Sequence, residues 1–354
     1  MGETKKSYAR PLDLKQGRVD LTHGSGGRAM VQLIAEVFAR HLGNAYLAQG
    51  NDGAVLPAPV LAGKPARLVM STDSHVVSPL FFPGGDIGSL AVHGTLNDVA
   101  MMGAAPLYLT AGFILEEGFA LADLARIVAS MAQAAREAGV SVVAGDTKVV
   151  ERGKGDGVFI TTAGVGVLPE GLELGGARAR PGDAVIVSGS MGDHGVAIMS
   201  RREDLCFDAP IVSDSAALHG LVATMLATRA GLRCLRDPTR GGLAATLNEI
   251  AVQSGAGMML QEQAIPVKPV VAAACELLGL DPLCVANEGK LIAICAGADA
   301  ARLVAAMRAH PLARDAAVIG EVTADSRHFV QLTTAFGGRR IVEWLAGDQL
   351  PRIC

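Results

Sequence analysis

The sequence predicts an α/β (α+β) fold divided between two domains, and three observations support this. The chain has 354 residues, more than one domain usually contains, so two packed domains are expected. Half of the residues are hydrophobic but only 4% are aromatic, and there are 43 glycines, which is typical of aliphatic sheets and helices joined by tight turns. Runs with strand character alternate with helical patterns along both halves.

In the first half, a polar arm leads to a Gly-rich turn at 23–27 and a helical pattern over 28–42. The clearest helix is amphipathic, with Leu121, Leu124, Ile127 and Met131 on one face, and Gly139 ends it. The other elements predicted in this half are a strand at 67–72, a helix over 86–102, and strands at 107–115, 141–144 and 157–167.

The segment 169–181 is rich in Gly and has no clear pattern, so it is the expected domain junction. After it we predict a strand at 184–187, helices over 213–230 and 241–253, a strand at 290–295, a helix over 300–310 and a strand at 317–322. The expected units are an arm, loop and helix (1–44), an N-terminal domain (45–168), a C-terminal α/β domain (169–340) and a flexible tail (341–354).

Charge and hydropathy exclude several classes of protein. The net charge is −4 and no Lys/Arg cluster occurs, so we expect no nucleic-acid partner and no anionic membrane surface. Residues 1–20 are charged throughout and do not form a secretory signal. Every apolar run is too short to span a bilayer, so we expect a cytoplasmic location and protein or small-molecule partners.

Five of the six cysteines sit singly among apolar neighbours, which indicates packing, and no CxxC pair or Cys/His cluster suggests a zinc or iron–sulfur site. Cys354 differs because it is the last residue. A thiol at the end of a swinging arm can visit one site to be loaded and another to react. The alternative is an accidental terminal cysteine, and the opposing effects of the neighbouring carboxylate and Arg352 leave its reactivity open.

Four acidic residues recur at the ends of apolar segments, namely Asp52, Asp73, Asp98 and Asp146. Mg²⁺ is held by carboxylates together with substrate phosphates, so this set predicts a Mg-nucleotide site with these four as metal ligands. Lys148, two residues after Asp146, could contact a phosphate as a point charge. The alternative is that each Asp caps a turn or a helix.

The first turn, with glycines at 24, 26 and 27, fits a dinucleotide fingerprint only superficially: Gly24, Gly26 and Ala29 occupy its three small positions, but the preceding segment is too polar for a buried strand. A flexible lid whose amides approach phosphates is the better interpretation, and a Walker motif is absent. In the second half, Glu288 precedes a buried strand and is the candidate proton acceptor. His93 is interpreted as a hydrogen-bonded structural residue, and His194 alone does not identify a base.

Eight segments together resemble a known family: HGSGG (23–27), NDGA (51–54), STD (71–73), ND (97–98), GDTK (145–148), DPTRGG (237–242), NEGK (287–290) and PRIC (351–354). They resemble the HypE family of hydrogenase maturation proteins, the carbamoyl dehydratases of the aminoimidazole ribonucleotide synthetase (PurM-like) superfamily. The resemblance covers essentially the whole chain. PRIC is the most specific segment, because superfamily relatives that make thiamine diphosphate, purines or selenophosphate lack it.

The resemblance implies a PurM-like fold that forms a homodimer through its N-terminal domain, with ATP beside the interface. It also implies that the carbamoyltransferase HypF loads Cys354 with a carbamoyl group, which ATP dehydrates to a thiocyanate. The cyanide then passes to iron on the HypC–HypD scaffold of [NiFe]-hydrogenase maturation.

We assign catalysis to Cys354, Lys148 and Glu288. Binding of ATP and Mg²⁺ is assigned to Gly24, Gly26, Gly27, Asp52, Asp73, Asn97, Asp98, Asp146, Lys148 and Asp237. Two alternatives stay open. One is a related small-molecule kinase or synthetase with an incidental tail, and the other is a non-enzymatic carrier of cyanide or metal.

Overall fold

A computed structural model describes residues 11–20, 23, 32–44, 66–205, 207, 209–343 and 352–354. Within these ranges the chain forms a four-stranded sheet in its first half and a seven-stranded sheet in its second half, each packed against helices. This confirms the predicted mixture of helices and sheets. The domain boundaries at 44, 168 and 340 stay predictions.

The first sheet has the strand order β1-β6-β4-β5 and is antiparallel except between β4 and β5. A π-helical turn at Ile34–Phe38 precedes the first helix, and helices α2 and α3 cover one face of the sheet. The elements are α1 (Ala39–Leu42), β1 (Ala66–His75), β2 (Phe81–Phe82), β3 (Gly85–Asp86), α2 (Ile87–Met101), β4 (Ala105–Glu116), α3 (Leu121–Glu137), β5 (Ser141–Val150) and β6 (Val158–Pro169).

Asp86 caps the N-terminus of helix α2, and its carboxylate accepts hydrogen bonds from the backbone N–H groups of Gly88 and Ser89 in a capping box. Leu90, Leu96 and ten other residues of this helix are buried, so it has no polar face. One side packs on the first sheet and the other contacts elements of the second half. Helix α2 is therefore shared between the two halves of the molecule.

The second sheet has the order β13-β12-β9-β11-β7-β10-β8 and is antiparallel except between β9 and β12. Its strands are β7 (Asp183–Val187), β8 (Leu232–Arg236), β9 (Gly257–Gln261), β10 (Ile292–Ala296), β11 (Ala317–Thr323), β12 (Val330–Thr333) and β13 (Arg339–Ile341). Its helices are α4 (Asp193–Arg202), α5 (His219–Ala227), α6 (Gly242–Ser254), α7 (Pro269–Leu278) and α8 (Ala300–Arg308).

Three differences from the sequence predictions affect the site. Strand β5 continues to Val150, so Asp146 and Lys148 lie within a strand and not in a turn. Helix α5 begins at His219, because residues 213–218 are extended and make hydrogen bonds to other segments. Strands β8, β9, β12 and β13 and helix α7 had no counterpart in the predictions, because their short apolar runs carry little periodic signal.

No described helix or strand covers the second face of the first sheet. Leu68, Met70 and Ile114 alternate with inward-facing residues and are 57%, 71% and 42% exposed. An apolar sheet face of this kind is typical of a protein interface. Within the described ranges, no helix combines the length and the apolar character needed to cross a membrane.

Gly166 in β6 permits the close packing of α2. A methyl group there would overlap Val99 Cγ1 and lie 2.9 Å from the Ala105 carbonyl oxygen. We expect Gly166→Ala to destabilise the protein by about 1–3 kcal/mol through overpacking. The control is Gly220→Ala, where the added methyl group would lie 3.6 Å from His310 Nε2. Thermal unfolding should show a lower midpoint for Gly166→Ala only, and equal midpoints would contradict this packing argument.

Candidate active site

A cleft of about 650 Å³ lies where β1 and α2 meet β8 and α6. Asp98 of α2 and Asp237 after β8 face it from opposite halves of the molecule. Arg236, Thr239 and Arg240 also line it. The cleft therefore has the size and the polar lining of a small-molecule site.

Asp98 lines the first-sheet side of the cleft, and Asp73 lies close enough to Asp98 to affect its charge. Ser71 Oγ donates to Asp98 Oδ2 at 2.8 Å. Burial raises the pKa of Asp98, and the nearby negative charge of Asp73 raises it further. Sequence reasoning did not assign Ser71, although it stands two residues before Asp73 and thus on the same side of the strand.

Glu288 joins this cluster from the second half. A methyl group at Gly94 would lie 3.4 Å from Asp73 Oδ2 and 3.9 Å from Glu288 Oε2, so both carboxylates border the same point on α2. Glu288 is 3% exposed, and within the described residues its Oε1 has no hydrogen-bond partner. Burial raises the pKa of Glu288 well above its usual value, and Asp237, Asp214, Asp73 and Asp98 raise it further.

Asp237 titrates abnormally for the same reasons. Burial raises its pKa to about 7, assisted by the negative charges of Asp98 and Asp73. The structure thus brings together four predicted site residues: Asp73, Asp98, Asp237 and Glu288. Among the described residues, no group of three or more His, Cys, Asp or Glu side chains is arranged to hold a metal ion by itself.

Asp214 and Lys290 support Glu288 and were not assigned from the sequence. The backbone N–H of Glu288 donates to Asp214 Oδ1 at 3.0 Å. Lys290 Nζ lies 3.3 Å from Asp214 Oδ2, and the two side chains are 13% and 2% exposed. Lys290 stands in the NEGK segment, but Asp214 has no motif around it that would have identified it.

Asn97 holds the two halves together. Its side-chain amide donates to the carbonyl oxygens of Ala216 at 3.0 Å and Glu288 at 3.2 Å, and its oxygen accepts from the Leu218 N–H at 2.8 Å. These bonds occupy the buried amide. In this conformation Asn97 positions the Glu288 backbone, and its assigned contact with a nucleotide stays a prediction.

The structure separates Asp146 and Lys148 from the cluster. They pair with each other, with Lys148 Nζ 2.8 Å from Asp146 Oδ2, and both are more than 60% exposed. Strand β5 is the far edge of the sheet from β1, about 14 Å away by strand spacing. Both residues alternate with the buried Thr147, so they point away from the helices. One chain therefore does not unite all the predicted metal ligands.

His75 is a further neighbour of the cluster that sequence reasoning missed. It is 1% exposed, and its Nε2 lies 3.7 Å from Asp73 Oδ2 and 3.3 Å from Thr162 Oγ1. Burial lowers its pKa, against the opposing effect of Asp73. The sequence could have indicated His75 as a neighbour of Asp73, because residues 73 and 75 of one strand point to the same face of the sheet.

The end of the chain is docked beside β1. Ile353 pairs with Val77 as an antiparallel bridge. The Val76 N–H donates to the Cys354 oxygen at 2.9 Å, and the Ser78 N–H donates to the Arg352 oxygen at 3.1 Å. Ile353 is 2% exposed within the first hydrophobic core. Ile353 thus gives residues 352–354 an apolar contact, and the flexibility expected for the tail as a whole (341–354) stays a prediction.

Two residues of α4 hold the docked end from the second half. His194 Nε2 lies 2.7 Å from the Ile353 oxygen, and Arg202 Nη2 donates to the Arg352 oxygen at 2.8 Å. Arg352 itself pairs with Asp156 at 2.6 Å. The remaining assigned residues, Gly24, Gly26, Gly27 and Asp52, lie outside the described residues.

Comparison with known proteins gives consistent results. Residues 50–168 match the AIR synthase related protein N-terminal domain, and residues 180–333 match its C-terminal domain. Carbamoyl dehydratase HypE of Cupriavidus necator is 69% identical over 353 residues, which cover 100% of this chain and 99% of that protein.

Two solved structures are also similar. One is the hydrogenase maturation protein HypE in complex with ATP, with 51% identity, a TM-score of 0.90, and coverage of 95% of this chain and 99% of that one. The other is from a HypE–HypF complex, with 49% identity, a TM-score of 0.76, and coverage of 88% and 99%.

The carboxylate cluster leads to a pH-dependent expectation. A carboxyl group with a raised pKa binds more protons in the folded protein, so its contribution to stability falls as the pH rises from the unfolded pKa to the folded one. Asp237 moves from 3.8 to about 7. We therefore expect Asp237→Asn to be more stable than the wild type, by a margin that widens between about pH 4 and 7 and is constant above.

Melting temperatures measured across this range would test the expectation. The control is Asp146→Asn, because the hydrogen bond from Lys148 lowers the pKa of Asp146 and leaves it ionised over the whole range. A difference between Asp237→Asn and the wild type that did not change with pH would contradict the assigned repulsion.

Proposed function

We propose that this chain, which belongs to the HypE family of carbamoyl dehydratases, uses ATP to convert a carbamoyl group on the Cys354 thiol into a thiocyanate. The product would donate the cyanide ligand to the iron of [NiFe]-hydrogenase. Its high identity to a carbamoyl dehydratase over its whole length supports the reaction class, and its likeness to HypE bound to ATP supports the nucleotide.

The observation that carries the proposal is the position of Cys354. Its backbone carboxylate oxygen accepts from the Val76 N–H, three residues along the chain from Asp73 in the carboxylate cluster. The terminal residue thus stands at the end of the strand that supplies the site. A carbamoyl group carried on this thiol does not have to diffuse to the site, because the tail holds it there at a high effective concentration.

Mg²⁺ fits the carboxylates of the cleft. Asp73, Asp98 and Asp237 present oxygen donors, the type that Mg²⁺ prefers, and phosphate and water oxygens would complete a coordination shell that these side chains do not complete alone. Asp73 and Asp98 would hold the ion, which when bound neutralises charge on the phosphates. The raised pKa values of Asp98 and Asp237 indicate uncompensated negative charge, which a cation would relieve.

The reaction can be written so that its atoms balance. The carbamoyl oxygen attacks the γ-phosphorus of ATP, an O–P bond forms, and ADP leaves. The C–O bond then breaks with departure of phosphate, while both protons leave the nitrogen and the C≡N bond forms. The amide oxygen ends in phosphate, and the cysteine keeps the nitrile carbon as a thiocyanate.

Glu288 is the proposed proton acceptor. A general base is most effective when its pKa lies near the working pH, and burial with neighbouring carboxylates raises the pKa of Glu288 toward that range. Its Oε1 makes no hydrogen bond within the described part of the chain, so one oxygen is available to receive a proton. Asp214 and Asn97 fix its backbone.

Lys148 lies away from the carboxylate cluster of its own chain, so it would act at the cluster of a second copy of the chain. We propose that the exposed apolar face around Met70 forms a homodimer, because such a face is typical of a self-complementary interface. Asp146 and Lys148 point to the same side of the sheet as Met70. In the dimer they would approach the Asp73 edge of the partner chain, where Lys148 would neutralise charge on the transferring phosphoryl group.

The proposed partners follow from the cargo. A HypF-type carbamoyltransferase would load Cys354, in keeping with the solved HypE–HypF complex of a relative. A HypC–HypD-type scaffold would accept the cyanide on its iron. These steps would take place in the cytoplasm. They require Cys354 to leave its docked position between loading, dehydration and transfer.

Cys354→Ala tests the proposal most directly. We expect this variant to keep ATP binding, because residues 352–354 do not line the cleft, and to form no thiocyanate. Intact-mass analysis of the carbamoylated wild type before and after Mg-ATP should reveal loss of one water from the C-terminal peptide. A kinase with an incidental tail would retain ATP turnover in Cys354→Ala, and a non-enzymatic carrier would gain no thermal stability from Mg-ATP.

Mixing two inactive variants tests the shared site. Lys148→Ala and Cys354→Ala should each be inactive, but a mixed dimer combines an intact thiol with an intact partner lysine at one site. Equal mixing should restore roughly a quarter of the wild-type rate. Leu68→Arg in both chains should abolish this restoration and give monomers in light scattering, because Leu68 is 57% exposed on the same face and does not line the cleft.

Leu277→Arg is the matched control, because Leu277 is 68% exposed on α7 in the second half of the chain. It should leave the dimer and the restored rate unchanged. Full activity of Lys148→Ala alone would remove Lys148 from the reaction.

A further inference from the structure

We infer that His194 is the positioning residue for the terminal thiol: a directed chain of hydrogen bonds from residues 213–215 orients its ring, which then holds the Ile353 carbonyl. The inference rests on the proposed role of Cys354 as the carrier and adds the residue that fixes its register. His194 stands at the start of α4 and is completely buried.

The direction of each hydrogen bond follows from chemistry. A carbonyl oxygen only accepts, so His194 Nε2, 2.7 Å from the Ile353 oxygen, carries the proton. Burial lowers the pKa of His194, against the opposing effects of Asp214 and the Ile353 bond, so the ring is neutral at neutral pH. Nδ1 then accepts from Ser213 Oγ at 2.7 Å. Ser213 Oγ in turn accepts from the Ser215 N–H at 3.1 Å.

Packing holds the ring independently of the tail. Phe82 contacts it edge-on, with ring centroids 5.5 Å apart and planes at 90°. The next residue, Gly195, donates its N–H to the Ala286 oxygen at 3.0 Å. These contacts, which do not involve the tail, fix the direction of the His194 Nε2–H donor. The imidazole ring therefore loses little conformational freedom when the tail docks.

The side chains of Arg352 and Ile353 make less selective contacts than this bond. The Arg352 side chain pairs with Asp156 at a half-exposed position, where an ion pair contributes little. Ile353 provides apolar burial, which attracts the tail but does not determine its register. The His194 bond is buried and directional, so a shift of the tail by one residue would leave both Nε2 and a carbonyl without a partner.

The segment that orients His194 also supports the proposed base. Asp214 follows Ser213 and accepts from the Glu288 N–H through its carboxylate. One short segment, 213–215, thus sets the position of the thiol through His194 and the position of Glu288 through Asp214. The relative placement of cargo and base is then a property of this segment.

Two measurements on the full-length chain test the inference. The first is the rate at which iodoacetamide modifies unloaded Cys354, read by mass spectrometry on the C-terminal peptide, and the second is single-turnover thiocyanate formation from the carbamoylated chain. For His194→Leu we expect alkylation about 5-fold faster and dehydration about 10-fold slower, with unchanged ATP affinity in calorimetry. Burial raises the pKa of Cys234, Cys275 and Cys295 to about 11, which limits competing modification.

Conservative and matched variants separate positioning from general damage. His194→Gln, whose amide can donate to the same carbonyl, should retain most of both properties, and His310→Leu should match the wild type. The inference is overturned if His194→Leu behaves as the wild type in both measurements, or if His194→Gln is as defective as His194→Leu. If His194→Leu does not fold, Ser213→Ala should change both rates in the same directions, and unchanged rates there would also overturn it.

The alkylation rates of Cys354 can be compared whether or not the protein forms thiocyanate. If the wild type forms no thiocyanate, the proposed function fails, while faster alkylation of Cys354 in His194→Leu would still support the docking role. Equal alkylation with normal thiocyanate formation in both chains would refute the positioning role alone.

Discussion

Repulsion among buried carboxylates at the junction of the two halves is the constraint on which the site depends. Asp73 and Asp98 come from the first half, whereas Asp237 and Glu288 come from the second. Burial makes each negative charge unfavourable, and the neighbouring charges add to the penalty, so their pKa values rise. A fold gains no stability from such a cluster, and its persistence is typical of a site that meets a cation or moves a proton.

Hydrogen bonds and one ion pair hold the cluster together against this repulsion. Asn97 ties α2 to the 213–218 segment and to the Glu288 backbone, and Asp214 with Lys290 supports Glu288 from the other side. Helix α2 can supply these contacts because it is buried on all sides between the two halves. The close approach of α2 to β6 in turn requires a glycine at position 166. Packing, domain contact and site electrostatics are therefore linked through one helix.

The tail adds a second link between the halves. It pairs with the segment after β1 through backbone hydrogen bonds and reaches α4 through His194 and Arg202. Within residues 352–354, Ile353 is the fully buried apolar side chain, and Cys354 is partly buried against the same core. A contact of this size is compatible with release, because a single buried aliphatic side chain contributes only about 1.5–3 kcal/mol. Docking by a small anchor and a directional bond suits a group that must also be loaded and unloaded elsewhere.

Much of the local structure could be predicted from the sequence, because periodic burial acts over neighbouring residues. The amphipathic α3, the capped α2 and the long strands of the first sheet all lie close to their predicted positions. Residue type also identified the carboxylates and the terminal thiol as candidates. The short strands β8, β12 and β13 were missed because runs of three to five residues have no distinctive period.

The sequence by itself determined which reactive side chains the protein contains and which class of fold it adopts. Only the tertiary structure decided which of those groups meet. Strand order placed Asp146 and Lys148 at the opposite edge from Asp73, and side-chain alternation pointed them away from the helices. His75, Asp214 and His194 gained their roles from partners far away in the chain. Such contacts depend on how strands and helices are arranged in space, and no local pattern of residues records that arrangement.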